Sequence, residues 1–205
     1  MLYKDKYSAP EHEWRRNQAK VIRVARKVHR VTGVLLFLLL TLVAVTGLLL
    51  GWKKHSGGYL LARSYPGTTT SLSDWLPVDS LNHLAVIYLH DSVSPNLSTG
   101  MDRIDIRPDK GMVKFVFADH YWALQLDGAT GKLLHIERRR ADFIENLHDG
   151  SIVDRYLRLP GGAFKLLYTT VSGLALLTFT LTGFWLWYGP RRMRQHSSKG
   201  SHALH

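Results

Sequence analysis

The chain has no cysteine among its 205 residues. That excludes disulfides, thiol catalysis and thiolate-ligated clusters or haem. Other chemistry-bearing patterns are missing too: there is no Gly-rich nucleotide loop, no G-x-S-x-G and no convincing carboxylate pair. Asp102, Asp105 and Asp127 read as turn and strand-edge residues, so neither a hydrolase nor a nucleotide-dependent reductase is supported. Charge is absent from two apolar runs, Val31–Trp52 and Leu166–Pro190. A helix needs about 20 residues to cross ~30 Å of hydrocarbon, and both runs exceed that. A cleaved signal peptide is not expected. The first run is too long for a signal core, lacks a small-residue cleavage pattern and follows a basic segment.

Acidic residues are scarce, 16 against 27 Lys and Arg, for a formal charge of +11. The excess is not spread evenly. Residues 1–30 and 191–205 carry nearly all of it, while the stretch between the runs is close to neutral. Basic residues concentrate on the cytoplasmic side of membrane helices. The sequence therefore predicts an integral membrane protein with both tails cytoplasmic and the middle exoplasmic. The expected divisions are a basic N-terminal segment 1–30, a span 31–52, an exoplasmic domain 53–162, a span 163–190 and a basic tail 191–205. Nucleic-acid binding is the competing reading of the charge and is set aside, because the basic residues flank spans and form no domain of their own. The N-terminal segment reads as a basic helix, Trp14–Arg30, running straight into the first span. Gly189-Pro190-Arg191-Arg192 reads as the stop of the second helix.

The middle reads as α+β. A Gly/Ser/Thr-rich linker, 56–73, precedes a helix over Val78–His90 that places Leu81, Leu84 and Tyr88 on one face, with Asp79 or Ser80 as N-cap. Strand signals follow around Ile104 and Ile106, then over Met112–Ala118, Tyr121–Leu126 and Lys132–Arg138. Pro108–Gly111 supplies one turn and Asp127–Gly131 another, the latter with an Asx-type bond from Asp127 and a left-handed Gly131. One main helix on an antiparallel sheet of about four strands is expected.

Histidines mark the membrane edges. His29 and Gly47 stand five helical turns apart and share a face, with Gly33 and Gly51 close to the same line. A flat haem ring needs an imidazole ligand and a nearby surface stripped of side chains, and His29 with Gly33 offers both. On residues alone a second reading stays open: Gly47 and Gly51 as a helix-packing GxxxG, and His29 as an interfacial basic residue. His148 precedes the second span and reads either as a ligand over the outer leaflet or as a surface histidine in a capping turn with Asp149-Gly150. His55 is its nearest local partner in sequence. His29 and His55 cannot share one iron, because 26 helical residues span ~39 Å. His83 and His90 read as solvent-facing, His120 and His135 as sheet residues, and His196, His202 and His205 as a flexible tail. Two spans cannot enclose a haem on all sides, so a homodimer or a heteromeric membrane complex is expected.

Several segments together resemble a known family. Tyr121–Leu134, with its Asp127-Gly128-Ala129-Thr130-Gly131 turn between strands, resembles a PepSY domain. The flanks resemble the PepSY-associated transmembrane helix family, through Arg26–Gly33, Thr46-Gly47, Leu147–Gly150, Ser172-Gly173 and Trp185-Leu186-Trp187. Four-span members include bacterial inner-membrane proteins linked to iron uptake, among them haem-bearing reductases of iron–siderophore complexes. This chain departs from them in having two spans. The resemblance implies haem b held by His29 and His148, and electron transfer to an exoplasmic acceptor such as a ferric chelate. A non-catalytic anchored interaction module, or an accessory subunit of a larger complex, is the alternative. The resemblance also implies a place in the bacterial inner membrane, with the lipid membrane as a partner.

Overall fold

The computed structural model describes residues 8–202, and side chains over 13–194. The polar start at 1–7 and His205 lie outside the described residues. The element order is α1 (Ser8–Gly51), α2 (Val78–Ser92), β1 (Met101–Arg107), β2 (Met112–Phe117), β3 (Trp122–Asp127), β4 (Leu133–Arg138), α3 (Arg140–His148), α4 (Ser151–Leu157) and α5 (Ala163–His202). The chain divides into two compact units, one of residues 1–44 with 149–205 and one of residues 45–148.

The first unit is built on α1 and α5, both long and apolar enough to cross a membrane. Their contacts descend in order along α5: Trp14 meets Arg192, Ile22 meets Gly189, His29 meets Thr182 and Gly33 meets Phe179. The two helices are therefore antiparallel. Outward-facing apolar side chains stay bare, with Val34, Leu35 and Leu38 each more than 70% exposed. A water-soluble chain does not leave so continuous an apolar surface uncovered; lipid covers it here. The predicted stop at Gly189-Pro190 does not occur, because α5 continues through Pro190 to His202. Proline removes one backbone hydrogen bond. Contacts on both sides hold the helix across the gap: Arg191 stacks 3.9 Å over the Trp187 ring, and Arg192 lies over Trp14. The expected flexible tail is thus helical through His202.

The start of α5 is fixed by a carboxylate from α4. Asp154 is buried and accepts from the backbone N–H groups of Phe164 and Lys165, at 2.9 and 2.8 Å. These are two of the four amides that a helix N-terminus leaves without partners. Asp149 closes the same corner: it accepts from the Ser151 N–H and hydroxyl and pairs with Lys165 Nζ at 2.6 Å. Burial pushes the Asp149 carboxyl up, but the Lys165 and Ser151 contacts outweigh it and hold it below its ordinary value.

The second unit is a four-stranded antiparallel meander, in the order β1-β2-β3-β4. Alternation sends Val113, Phe115, Phe117, Leu124 and Leu126 to one face, where Leu81, Ala85 and Leu89 of α2 pack on them. Leu84 and Tyr88, expected on the helix's buried face, sit at its margin. The helix N-cap is Pro77, with no side-chain cap, in place of Asp79 or Ser80. The Asp127–Gly131 turn forms as its chemistry dictates. Asp127 Oδ1 accepts from Ala129 and Thr130, and Gly131 adopts φ +69°. Asp127 Oδ2 accepts from the Thr68 N–H and hydroxyl, tying the linker to the sheet. Burial raises the Asp127 carboxyl, and these four bonds together bring it below its ordinary value.

The sheet's other face carries a polar row among the buried Met112, Val116 and Ala123. Lys114 faces Gln125 across β2 and β3, and Gln125 faces His135 across β3 and β4. Buried Gln125 donates to Glu137 and to the Arg63 carbonyl and accepts from the Tyr65 N–H. Lys114 closes an ion pair with buried Glu137. The linker therefore lies over this face as a second layer.

Candidate functional site

His29 occupies the face of α1 turned to α5. Its Nδ1 lies 2.9 Å from Thr182 Oγ1. The Thr182 hydroxyl donates its own proton to the Thr178 carbonyl, at 2.6 Å. The oxygen is left to accept, so in the neutral ring Nδ1 carries the proton and Nε2 keeps the lone pair. The ring meets Phe179 edge-on, with centroids 4.6 Å apart, and Gly183 leaves room for its Cε1 edge.

An open groove of about 710 Å³ starts at this imidazole. His29 and Arg30 stand among its lining residues, and Gly33, Val34, Phe37 and Phe179 form much of its wall. A Cβ at Gly33 would sit 3.3 Å from the Phe179 ring, so the wall is flat there because glycine makes it so.

His148, the last residue of α3, has a related seat in the other unit. Its Nδ1 is 2.8 Å from Thr46 Oγ1, and Thr46 is buried. Its Cε1 lies 3.4 Å from the position a Cβ at Gly47 would take. Each histidine therefore rests on a Thr-Gly pair: His29 on Thr182-Gly183 and His148 on Thr46-Gly47. The sequence carries both dipeptides. The expected stripe included Gly47, the family resemblance singled out Thr46-Gly47, and nothing local ties Thr182-Gly183 to His29.

Residues 2–187 match the family described as PepSY-associated TM region, a range that holds the sheet, both histidine seats and all of the helices except the last turns of α5. The chain belongs to this family. It is a membrane protein of the PepSY-associated type, with an α+β fold and two apolar helices. A comparison with curated proteins finds no match.

In this PepSY-associated chain the other sequence-singled residues fall into different places. His55 ends the 3-10 turn Lys53–His55 and is exposed. Gly51 has open space around it. His83 is exposed, as expected. His90 Nε2 meets the Leu97 carbonyl, and His135 lies against the Tyr65 ring. His120 sits in the β2–β3 connection, with Nε2 at the Ser98 carbonyl and Nδ1 accepting from Trp122. No three His, Asp or Glu side chains converge among the described residues. A lone imidazole is too few donors for a bare metal ion. It suits a metal whose remaining donors come from a planar macrocycle.

Proposed function

We propose that this protein is an electron-transfer component of the bacterial inner membrane that holds haem b through His29 and His148 and passes electrons to an exoplasmic ferric chelate. The observation that carries the reading is the shared seat. At both histidines Nδ1 meets a threonine hydroxyl and a glycine lies beside the ring, and at His29 the threonine's own donation leaves Nε2 for a ligand. Metal-binding histidines characteristically bond through their second nitrogen in this way, which fixes the ring and raises its basicity.

The groove at His29 suits the ring's chemistry. Val34 and Phe37 offer apolar surface to a macrocycle, and Arg30 offers a cation to its carboxylates. A bound haem supplies one-electron chemistry. The chain's own residues hold the imidazoles, exclude water and set the polarity around them. Tyr168 Oη and Ser172 Oγ, one turn apart on α5, are buried without hydrogen-bond partners. Such groups are costly inside a membrane, and a cofactor or a second chain would satisfy them. A homodimer would bring two copies of each histidine, and so a pair of imidazoles that could hold the group at each seat. The basic residues at both ends support cytoplasmic tails and a periplasmic sheet domain.

The test is the visible spectrum of the purified protein. A dithionite-reduced b-type spectrum, lost in part in His29→Ala and in His148→Ala, is the expected result. A colourless folded protein points instead to the anchored interaction module.

A further inference from the structure

The linker and the sheet enclose a second, different cavity. It is a cleft of about 320 Å³ on the polar face, and its side walls carry Lys54, Arg63, Arg107, Lys110 and Lys114. No carboxylate lines it. Of the five cations only Lys114 pairs with a carboxylate, the buried Glu137. Among the described residues the other four meet none within ion-pairing distance. Asp105, opposite Lys114 across β1 and β2, is engaged by Arg103 at 3.3 Å. Two of the cationic groups are held in place, Arg107 by donation to Ser64 Oγ at 2.8 Å and Lys114 by Glu137, and Gln125 holds the Arg63 backbone carbonyl. A domain whose overall charge is close to neutral has thus gathered five cations around one concavity.

Gathering like charges is unfavourable unless an anion offsets it. Two arginine forks and three ammonium groups match the oxygens of carboxylates or phosphates. The concavity is at the small end of the range for ligand pockets, ~300–1,000 Å³. We infer that this cleft binds a small soluble polyanion bearing at least two carboxylate or phosphate groups. On the electron-transfer reading, on which this last step rests, the physiological member of that class is an anionic ferric chelate. The location agrees: Lys54 follows Lys53, which pairs with Glu145, one turn before His148 on α3.

The experiment is calorimetric titration of the full-length protein in neutral detergent with citrate and with ferric citrate. Both should bind, more weakly as salt rises. Affinity should fall at least tenfold in Arg107→Ala/Lys110→Ala and stay unchanged in Lys132→Ala, a cation outside the cleft. No binding by the parent, or equal binding by the double variant, overturns the inference. Repeating the titration in nanodiscs separates the two sources of such an anion. Equal binding in phosphatidylcholine and phosphatidylglycerol discs supports a soluble ligand. Loss of binding only in phosphatidylglycerol makes the occupant a lipid headgroup and overturns it. His29→Ala serves as the internal control. A colourless protein that still binds citrate faults the haem reading alone and leaves the anion site standing.

Discussion

His29 Nδ1 donates to Thr182 Oγ1 across the two apolar helices, because the threonine's own proton is already given to the Thr178 carbonyl. Thr182→Val keeps the shape and removes the acceptor. The imidazole then loses its fixed tautomer and its orientation. Haem affinity is expected to fall by about 10–100-fold, the usual cost of deleting such a partner. Haem titration of the apoprotein measures it, and Thr182→Ser should restore most of the loss. Equal affinity in the valine variant would show that the bond has no part in ligand binding.

Gly47 and Gly51 look alike in sequence and separate in the structure. A Cβ at Gly47 would already touch His148 Cε1 at 3.4 Å, so the outer atoms of a larger side chain compete with the ring, whereas Gly51 has open space. Gly47→Leu should displace His148 and lower haem content, while Gly51→Leu should leave it unchanged. If Gly51→Leu instead splits the oligomer on size exclusion, this glycine belongs to a contact between copies.

Asp154 satisfies two backbone amides at the head of α5. Its replacement by alanine should cost about 0.5–2 kcal/mol, the range for a lost N-cap. Thermal unfolding in detergent reads the change. Asp154→Asn retains one acceptor oxygen and should fall between the two.

Asp127 carries a pH signature. Its carboxyl lies below the ordinary 3.8 in the folded protein because four bonds favour the ionised form over the opposing effect of burial. Its stabilising contribution is therefore complete above the unfolded value and is lost as pH falls through the depressed folded one. Asp127→Ala should unfold more easily than the parent by roughly 1–3 kcal/mol near neutrality. The gap should narrow below about pH 4. A gap that stays constant down to pH 2 would mean that the carboxylate charge is not what the turn uses.

The sheet and its turns were legible because their signals are local. Alternating apolar residues in Met112–Phe117 choose a face by themselves, and Asp127 with Gly131 encodes its own turn. His29 and Gly33 were legible for the same reason, since helical periodicity alone puts them on one stripe. What could not be read was the partner. Thr182 lies 153 residues from His29, and Thr46 lies 102 residues from His148. Those pairs exist only once helices pack. Pro190 misled for the converse reason: the local rule ends a helix there, and side-chain stacking on both sides overrides it. The basic cleft was hidden too, because its five cations are scattered from Lys54 to Lys114 and only the fold assembles them.

The polar layer of Lys114, Gln125 and Glu137 has one more consequence, for assembly rather than binding. Side chains alternate along a strand, so a one-residue slip of β2 would swing the Lys114 ammonium toward Leu81 and Leu89 and turn Phe115 outward. The same slip in β3 or β4 would bury an amide or a carboxylate among Phe117 and Leu81. Mispaired meanders are thus penalised at each of three neighbouring strands, and the chain reaching the membrane surface has a single inexpensive way to zip its sheet.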